Sequence, residues 1–93
     1  MRKIALFGAG GKMGQRLAAN LSAREDYKTR FVEVQAAGRD ALSERFGITC
    51  VSDDDAINGA EVVILAVPDS AIGKVAHQLA PKLAAGTILI ILD

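Results

Sequence analysis

Hydrophobic residues fall along this chain in short solid runs, and the stretches between them repeat apolar positions every three or four residues. Residues 3–7 contain the run Ile4-Ala5-Leu6-Phe7, continuous rather than alternating, which is the pattern of a strand buried on both faces of a parallel sheet. Residues 12–23 read as a helix, with Met13, Leu17 and Leu21 four apart. A charged connection over 24–28 leads to a second strand at 30–34 and a second helix at 38–46, where Leu42 and Phe46 share a face and Gly47 is the stop. Residues 48–51 read as a short third strand. Ser52 or Asp53 then caps a brief helical turn through Ile57, ended by Asn58-Gly59. Residues 61–67 form another solid apolar strand, broken by Pro68. Asp69 or Ser70 caps a helix whose apolar face is Ile72, Val75, Ala76, Leu79 and Leu83, and Pro81 ends or kinks it near Ala80. After Gly86, residues 87–92 make a fifth strand.

Strands alternating with helices require crossover connections and a parallel sheet. The expected class is α/β, a Rossmann-like doubly wound parallel sheet of five strands in the order 3-2-1-4-5, with the switch point between the first and fourth. A ligand is expected outside the carboxyl ends of those two strands. That puts the turn after the first strand and Val67-Pro68-Asp69 on opposite sides of one crevice. Residues 1–93 suffice for one dinucleotide-binding domain, and a chain that stops after its fifth strand, at Asp93, suggests the N-terminal part of a longer enzyme.

The turn after the first strand is Gly8-Ala9-Gly10-Gly11-Lys12-Met13-Gly14. Glycines let the backbone turn tightly and let an anion approach, while the first N–H groups of the following helix have no intrahelical partner and lie at the positive end of its dipole. Strand, glycine loop, helix and a later acid, Glu33, together form a dinucleotide-binding pattern far more specific than a glycine-rich turn alone. The spacing departs from G-x-G-x-x-G: Gly8 and Gly10 fit, but Met13 holds the third place and Gly14 follows. Read as Gly8-x-x-Gly11-x-x-Gly14, it is regular, with one residue added to the loop. Both readings leave Gly10 to Met13 as the candidate donors to a pyrophosphate. Glu33 stands at the end of the second strand, where a carboxylate accepts hydrogen bonds from the adenosine ribose. This favours NAD over NADP, whose 2′-phosphate would meet that charge. Arg39 is the competing feature, as a partner for a 2′-phosphate or as an exposed helix residue.

Charge and composition narrow the partners. Lys+Arg and Asp+Glu number 11 each, so the net charge is zero, and there is no basic cluster of the kind that binds nucleic acid. Aromatic residues make up 4%, too few for a base-stacking surface. The apolar runs are too short to cross a bilayer. Cys50 is the single cysteine, with apolar neighbours that suggest a buried strand position, and it fits a reducing cytoplasm. Asp53-Asp54-Asp55 reads as a solvated helix start rather than a metal site. His77, Lys74 and Lys82 read as helix surface, and no nucleophile–base arrangement or metal-ligand cluster stands out.

The glycine loop together with Val63-Ile64-Leu65-Ala66-Val67-Pro68-Asp69 resembles the cofactor domain of the 6-phosphogluconate-dehydrogenase-like oxidoreductases, a group that includes β-hydroxyacid and prephenate dehydrogenases. The Gly-x-x-Gly-x-Met-Gly spacing also resembles dihydrodipicolinate reductases, but the Ala-Val-Pro-Asp segment does not fit them. Within the first group, the stretch from Gly8 through Leu92-Asp93 looks most like a bacterial oxidoisomerase type, which oxidises a branched sugar acid with NAD and rearranges its carbon skeleton. The resemblance implies that Gly8, Gly10, Gly11, Lys12, Met13 and Gly14 cradle the pyrophosphate and Glu33 binds the ribose. Val67 and Pro68 would then line the floor near the second ribose. It also implies hydride transfer from a hydroxy acid or sugar acid. Catalytic residues and a homodimer contact would lie in a C-terminal domain not present here. Two other classes stay open. One is a dinucleotide-binding regulatory module without catalysis. The other is a methyltransferase, against which Leu6 counts, because those enzymes place an acid two residues before the first glycine.

Overall fold

The computed structural model describes residues 2–92; Asp93, the expected end of the fifth strand's segment, lies outside the described residues. Four parallel strands, β1 (Arg2–Phe7), β2 (Tyr27–Val32), β3 (Val62–Leu65) and β4 (Ile88–Ile91), lie in the spatial order β2-β1-β3-β4. The helices are α1 (Lys12–Ser22), α2 (Ala36–Phe46), α3 (Asp53–Ile57) and α4 (Asp69–Leu79), followed by a 3-10 turn at Ala80–Lys82 that contains Pro81. The chain builds outward from β1 to β2, returns to the centre at β3, and builds the other way to β4. The reversal between β1 and β3 is the expected switch point.

Register explains why β1 is apolar throughout. Leu6 lies between Phe31 of β2 and Ile64 of β3, and Phe7 between Val32 and Leu65. Successive side chains point to opposite faces, and both faces are covered. Ala5 and Phe7 join Val63, Leu65, Ala56 and Leu79 in a core with α3 and α4. Leu6 joins Ala18, Phe31, Leu42 and Ile48 in a second core with α1 and α2.

The α/β, Rossmann-like parallel sheet is as the sequence implies, but among the described residues it has four strands in place of five, in the order 2-1-3-4 in place of 3-2-1-4-5. The difference is residues 48–51, which form no strand. Ile48 is buried, which accounts for the apolar run. Of this segment's backbone, Val51 N–H donates to Phe31 O at 2.9 Å. Ile48 N–H turns back to Leu42 O at 3.2 Å past the left-handed Gly47 (φ 66°), so the segment starts tied to α2 and not to β2. Cys50 is accordingly half-buried in a connection, not sealed in a strand.

Boundaries shift elsewhere. β2 begins at Tyr27, inside the segment read as a charged connection, because Arg2 and Lys3 supply pairing partners for Tyr27 and Lys28. Ser52 is the cap of α3, accepting from Asp55 N–H at 3.2 Å. Neither Asp69 nor Ser70 caps α4: Pro68 is the N-cap residue, and both polar residues fall in the first turn.

Candidate functional site

The carboxyl ends of β1 and β3 open into a cavity of about 400 Å³, a size that suits a small-molecule ligand. Gly8, Gly10 and Gly11 line it on one side, Glu33 and Val34 at the end of β2, and Val67 and Pro68 on the other. Six of the nine predicted cofactor residues therefore share one cavity: Gly8, Gly10, Gly11, Glu33, Val67 and Pro68. Lys12 instead lines a neighbouring groove with Gln15, Arg16 and Arg45. Met13 is 40% exposed, so it is not part of the apolar stripe that Leu17 and Leu21 contribute to the core. Gly14 is buried in the first turn of α1.

The loop glycines have different reasons to be glycine. Gly8 has φ +78°, and a Cβ there would meet Ala66 O at 2.6 Å. A Cβ at Gly10 would lie 2.6 Å from Gly38 Cα, and one at Gly14 would run into the Gly8 carbonyl oxygen. These three are fixed by packing of the loop against β3, α2 and itself. Gly11 is exposed at the N-cap of α1, with φ −75° and ψ 174°, and a Cβ there makes an ordinary contact, 3.5 Å from Gly8 O. Nothing in the fold forbids a side chain at Gly11.

Loop donors are divided in the same way. Gly8 and Ala9 N–H both donate to Val32 O, and Gly11 N–H donates back to Gly8 O at 3.2 Å. Gly10 N–H donates to Glu33 Oε1 at 2.9 Å, and its carbonyl accepts from Gln15 Nε2 at 2.8 Å. The first helical bond runs from Gln15 N–H to Gly11 O. Lys12, Met13 and Gly14 thus precede the first satisfied donor of α1, at the positive end of its dipole.

Glu33 is built into the loop. Its other oxygen, Oε2, accepts from Gln35 N–H at 2.8 Å, so one carboxylate ties the glycine loop to the start of α2. A carboxylate has about four acceptor positions, so two remain for a ligand. Arg39 Nη1 donates to Glu33 O at 3.1 Å and Val34 O at 2.9 Å. It is thus neither a free cation nor an idle surface residue, but a clamp on the strand end. Behind this corner, burial first and the negative charge of Glu33 second push the Cys50 thiol above its usual range. On the opposite side Ala71, Val75 and Gln78 of α4 complete the lining. Among the described residues no group of three or more His, Cys, Asp or Glu side chains could hold a metal ion. His77 is exposed on α4 and outside the cavity.

Gln35, Gly38, Ala71 and Val75 line the cavity but were absent from the sequence reading of the site. A glycine three positions into a helix, Gly38, was the one signal that could have pointed there, and it reads just as well as a helix start.

Fold and crevice define a Rossmann-type nucleotide-binding domain, and comparison with known proteins sharpens this. The chain belongs to the family described as NADP oxidoreductase, coenzyme F420-dependent, whose model matches residues 3–91. Its relatives include the D-apionate oxidoisomerases of Rhizobium rhizogenes, 56% identical over 93 residues, and Cupriavidus necator, 54% identical over 91 residues. These alignments cover 100% and 98% of this chain but 34% and 33% of the relatives, so the chain spans about a third of their length. The crystal structure of a semialdehyde dehydrogenase NAD-binding protein from Cupriavidus necator, in complex with calcium and NAD, superposes with a TM-score of 0.96 at 53% identity. It covers all of this chain and 33% of that one. The relatives are thus of the oxidoisomerase type that the stretch from Gly8 onward resembles. The likeness to a pyrroline-5-carboxylate reductase from Coxiella burnetii, at 23% identity and a TM-score of 0.81, is one of fold.

Proposed function

We propose that this chain is the NAD-binding part of an oxidoreductase that moves a hydride between a hydroxy acid or sugar acid and the nicotinamide. The observation that carries the reading is Gly11: the protein itself has room for a side chain there, yet the position, at the mouth of the cavity and the N-terminus of α1, is bare. Bareness at that point is useful to a ligand that must come close to the backbone. The names of the relatives support the chemistry, and point to oxidoisomerisation of a branched sugar acid such as D-apionate.

In this reading the N–H groups of Lys12 and Met13 meet the pyrophosphate, since those of Gly10 and Gly11 are engaged within the loop. Glu33 accepts hydrogen bonds from the adenosine ribose. Val67 and Pro68 floor the crevice and exclude water beside the second ribose. A bound nicotinamide would supply the hydride acceptor for a hydroxyl-bearing carbon, whose hydroxyl proton would leave to a base. That base, the substrate contacts and a homodimer contact belong to a further domain, and the enzyme works in the cytoplasm.

Glu33 favours NAD. Two unit charges about 4 Å apart repel by about 4 kcal/mol at an effective dielectric of 20. Screening leaves about 1–3 kcal/mol, on the order of ten- to a hundredfold discrimination against a 2′-phosphate. Calorimetric titration of wild type and Glu33→Ser with NAD and NADP tests this. Wild type should bind NAD more tightly, and Glu33→Ser should weaken NAD and narrow the gap. Equal affinity of the wild type for the two nucleotides contradicts the assignment of Glu33 to the ribose.

A further inference from the structure

We infer that Gly38, in the first turn of α2, is a specificity-determining position: its missing side chain is what allows Glu33 to lie against Gly10 and present its carboxylate to the adenosine ribose. The inference rests on the dinucleotide reading above and adds a residue to it.

Three groups meet at one point. A Cβ at Gly38 would fall 2.7 Å from Glu33 Cγ, 2.9 Å from Glu33 Cδ and 3.2 Å from Gly10 Cα. The first two separations are shorter than real Cβ contacts. A methyl group at 38 must therefore push the Glu33 side chain away or lift the start of α2 from the loop. The backbone gives no other reason for glycine, because Gly38 is helical and is not among the glycines with positive φ. Alanine is the better helix former, so glycine here works against local preference. Gly73 of α4 has nothing within 4 Å of its would-be Cβ, so a glycine inside a helix is not always under such pressure in this protein.

Displacing Glu33 changes the charge of the cavity wall. Its carboxylate is tied to Gly10 N–H and Gln35 N–H, and Gln35 is the N-cap residue of α2. The first turn of α2 carries no acidic residue, and Arg39 is held beside the Glu33 and Val34 carbonyls. With the carboxylate in place this corner suits two ribose hydroxyls. With it pushed out, the helix N-terminus and the guanidinium dominate, and a phosphate ester on the 2′ position becomes acceptable. Gly38 thus sets nucleotide preference through Glu33 without touching the nucleotide's charge itself, which makes it a positioning residue.

The test is calorimetric titration of the protein with NAD and with NADP, in wild type, Gly38→Ala, Glu33→Ala and the double variant, with Tm measured for each. In Gly38→Ala, NAD affinity should fall about tenfold while NADP affinity holds or rises, so that the NAD:NADP preference narrows by at least that factor. In the Glu33→Ala background the methyl has no carboxylate to displace, so adding Gly38→Ala should leave both the preference and the Tm of Glu33→Ala unchanged. Should Gly38→Ala fold too poorly for titration, the Tm comparison in the Glu33→Ala background decides. An equal loss of Tm there would place the conflict with the Gly10 backbone and overturn the role. Wild type that prefers NAD, with the same preference retained in Gly38→Ala, would overturn the inference and leave the NAD reading standing. Wild type that binds neither nucleotide would overturn both.

Discussion

The two walls of the crevice are built by opposite means. On the β1–β2 side, hydrogen bonds fix nearly every group: Gly10 N–H and Gln35 N–H on Glu33, Gln15 on Gly10 O, Arg39 on two strand-end carbonyls. On the β3–α4 side the lining is apolar, Val67, Pro68, Ala71 and Val75, and Pro68 begins α4 without a side-chain cap. The first wall is held by the chain's own hydrogen bonds, and it places a negative charge and helix-end donors at set positions. The second offers surface and excludes water. A dinucleotide needs both, since its pyrophosphate and ribose demand directed partners and its rings demand apolar cover.

If the polar wall is structural as well as functional, its glycines carry the largest effects. Gly14→Ala drives a methyl group into the Gly8 carbonyl, and Gly8→Ala combines positive φ with a 2.6 Å approach to Ala66 O. Each should cost about 3 kcal/mol of stability in denaturant titration. Unchanged midpoints would show that the loop does not pack on β3 as described. Next in size is Glu33→Ala, which strips the partners from Gly10 N–H and Gln35 N–H. Because Glu33 is only half-buried, a loss of about 1–2 kcal/mol is expected. No loss at all would mean that solvent satisfies both donors and the wall is not pre-formed.

The apolar wall should respond more weakly. Val75→Ala removes two methyl groups from the lining and should cost about 1 kcal/mol of NAD affinity, roughly fivefold, read by calorimetry. A loss matching that of Glu33→Ser would erase the distinction between the walls. The smallest effect concerns Cys50, whose thiol is raised by burial and by the Glu33 charge. Its alkylation at neutral pH should be slow, because the thiolate is the reactive form, and modestly faster in Glu33→Gln. Equal rates would remove Glu33 from the field at Cys50.

Legibility in the sequence followed the same division. The solid run Ile4 to Phe7 and the strand ending before Pro68 both report burial on two faces, which one chain's composition can express. The place of Glu33 on the cavity wall was legible because it directly follows the second strand, on the side where the glycine loop ends. Residues 48–51 misled because burial of Ile48 under the second core produces an apolar run without a ladder. The start of β2 was hidden by its polar residues, for pairing with Arg2 and Lys3 is a property of register and not of hydropathy. Gly38 was hidden for a deeper reason. Its meaning depends on two residues, Gly10 and Glu33, that come near it only in the folded chain.

Gly11 has room for a side chain in the fold, so its bareness is to be explained by a ligand. Gly11→Val, studied by thermal unfolding and by NAD titration on the same folded sample, tests it most directly. Stability should fall by no more than about 1 kcal/mol, the cost of a poorer N-cap residue. NAD affinity should be at least about tenfold weaker. Unchanged NAD affinity in a folded Gly11→Val protein would contradict the claim and remove this loop from the binding site.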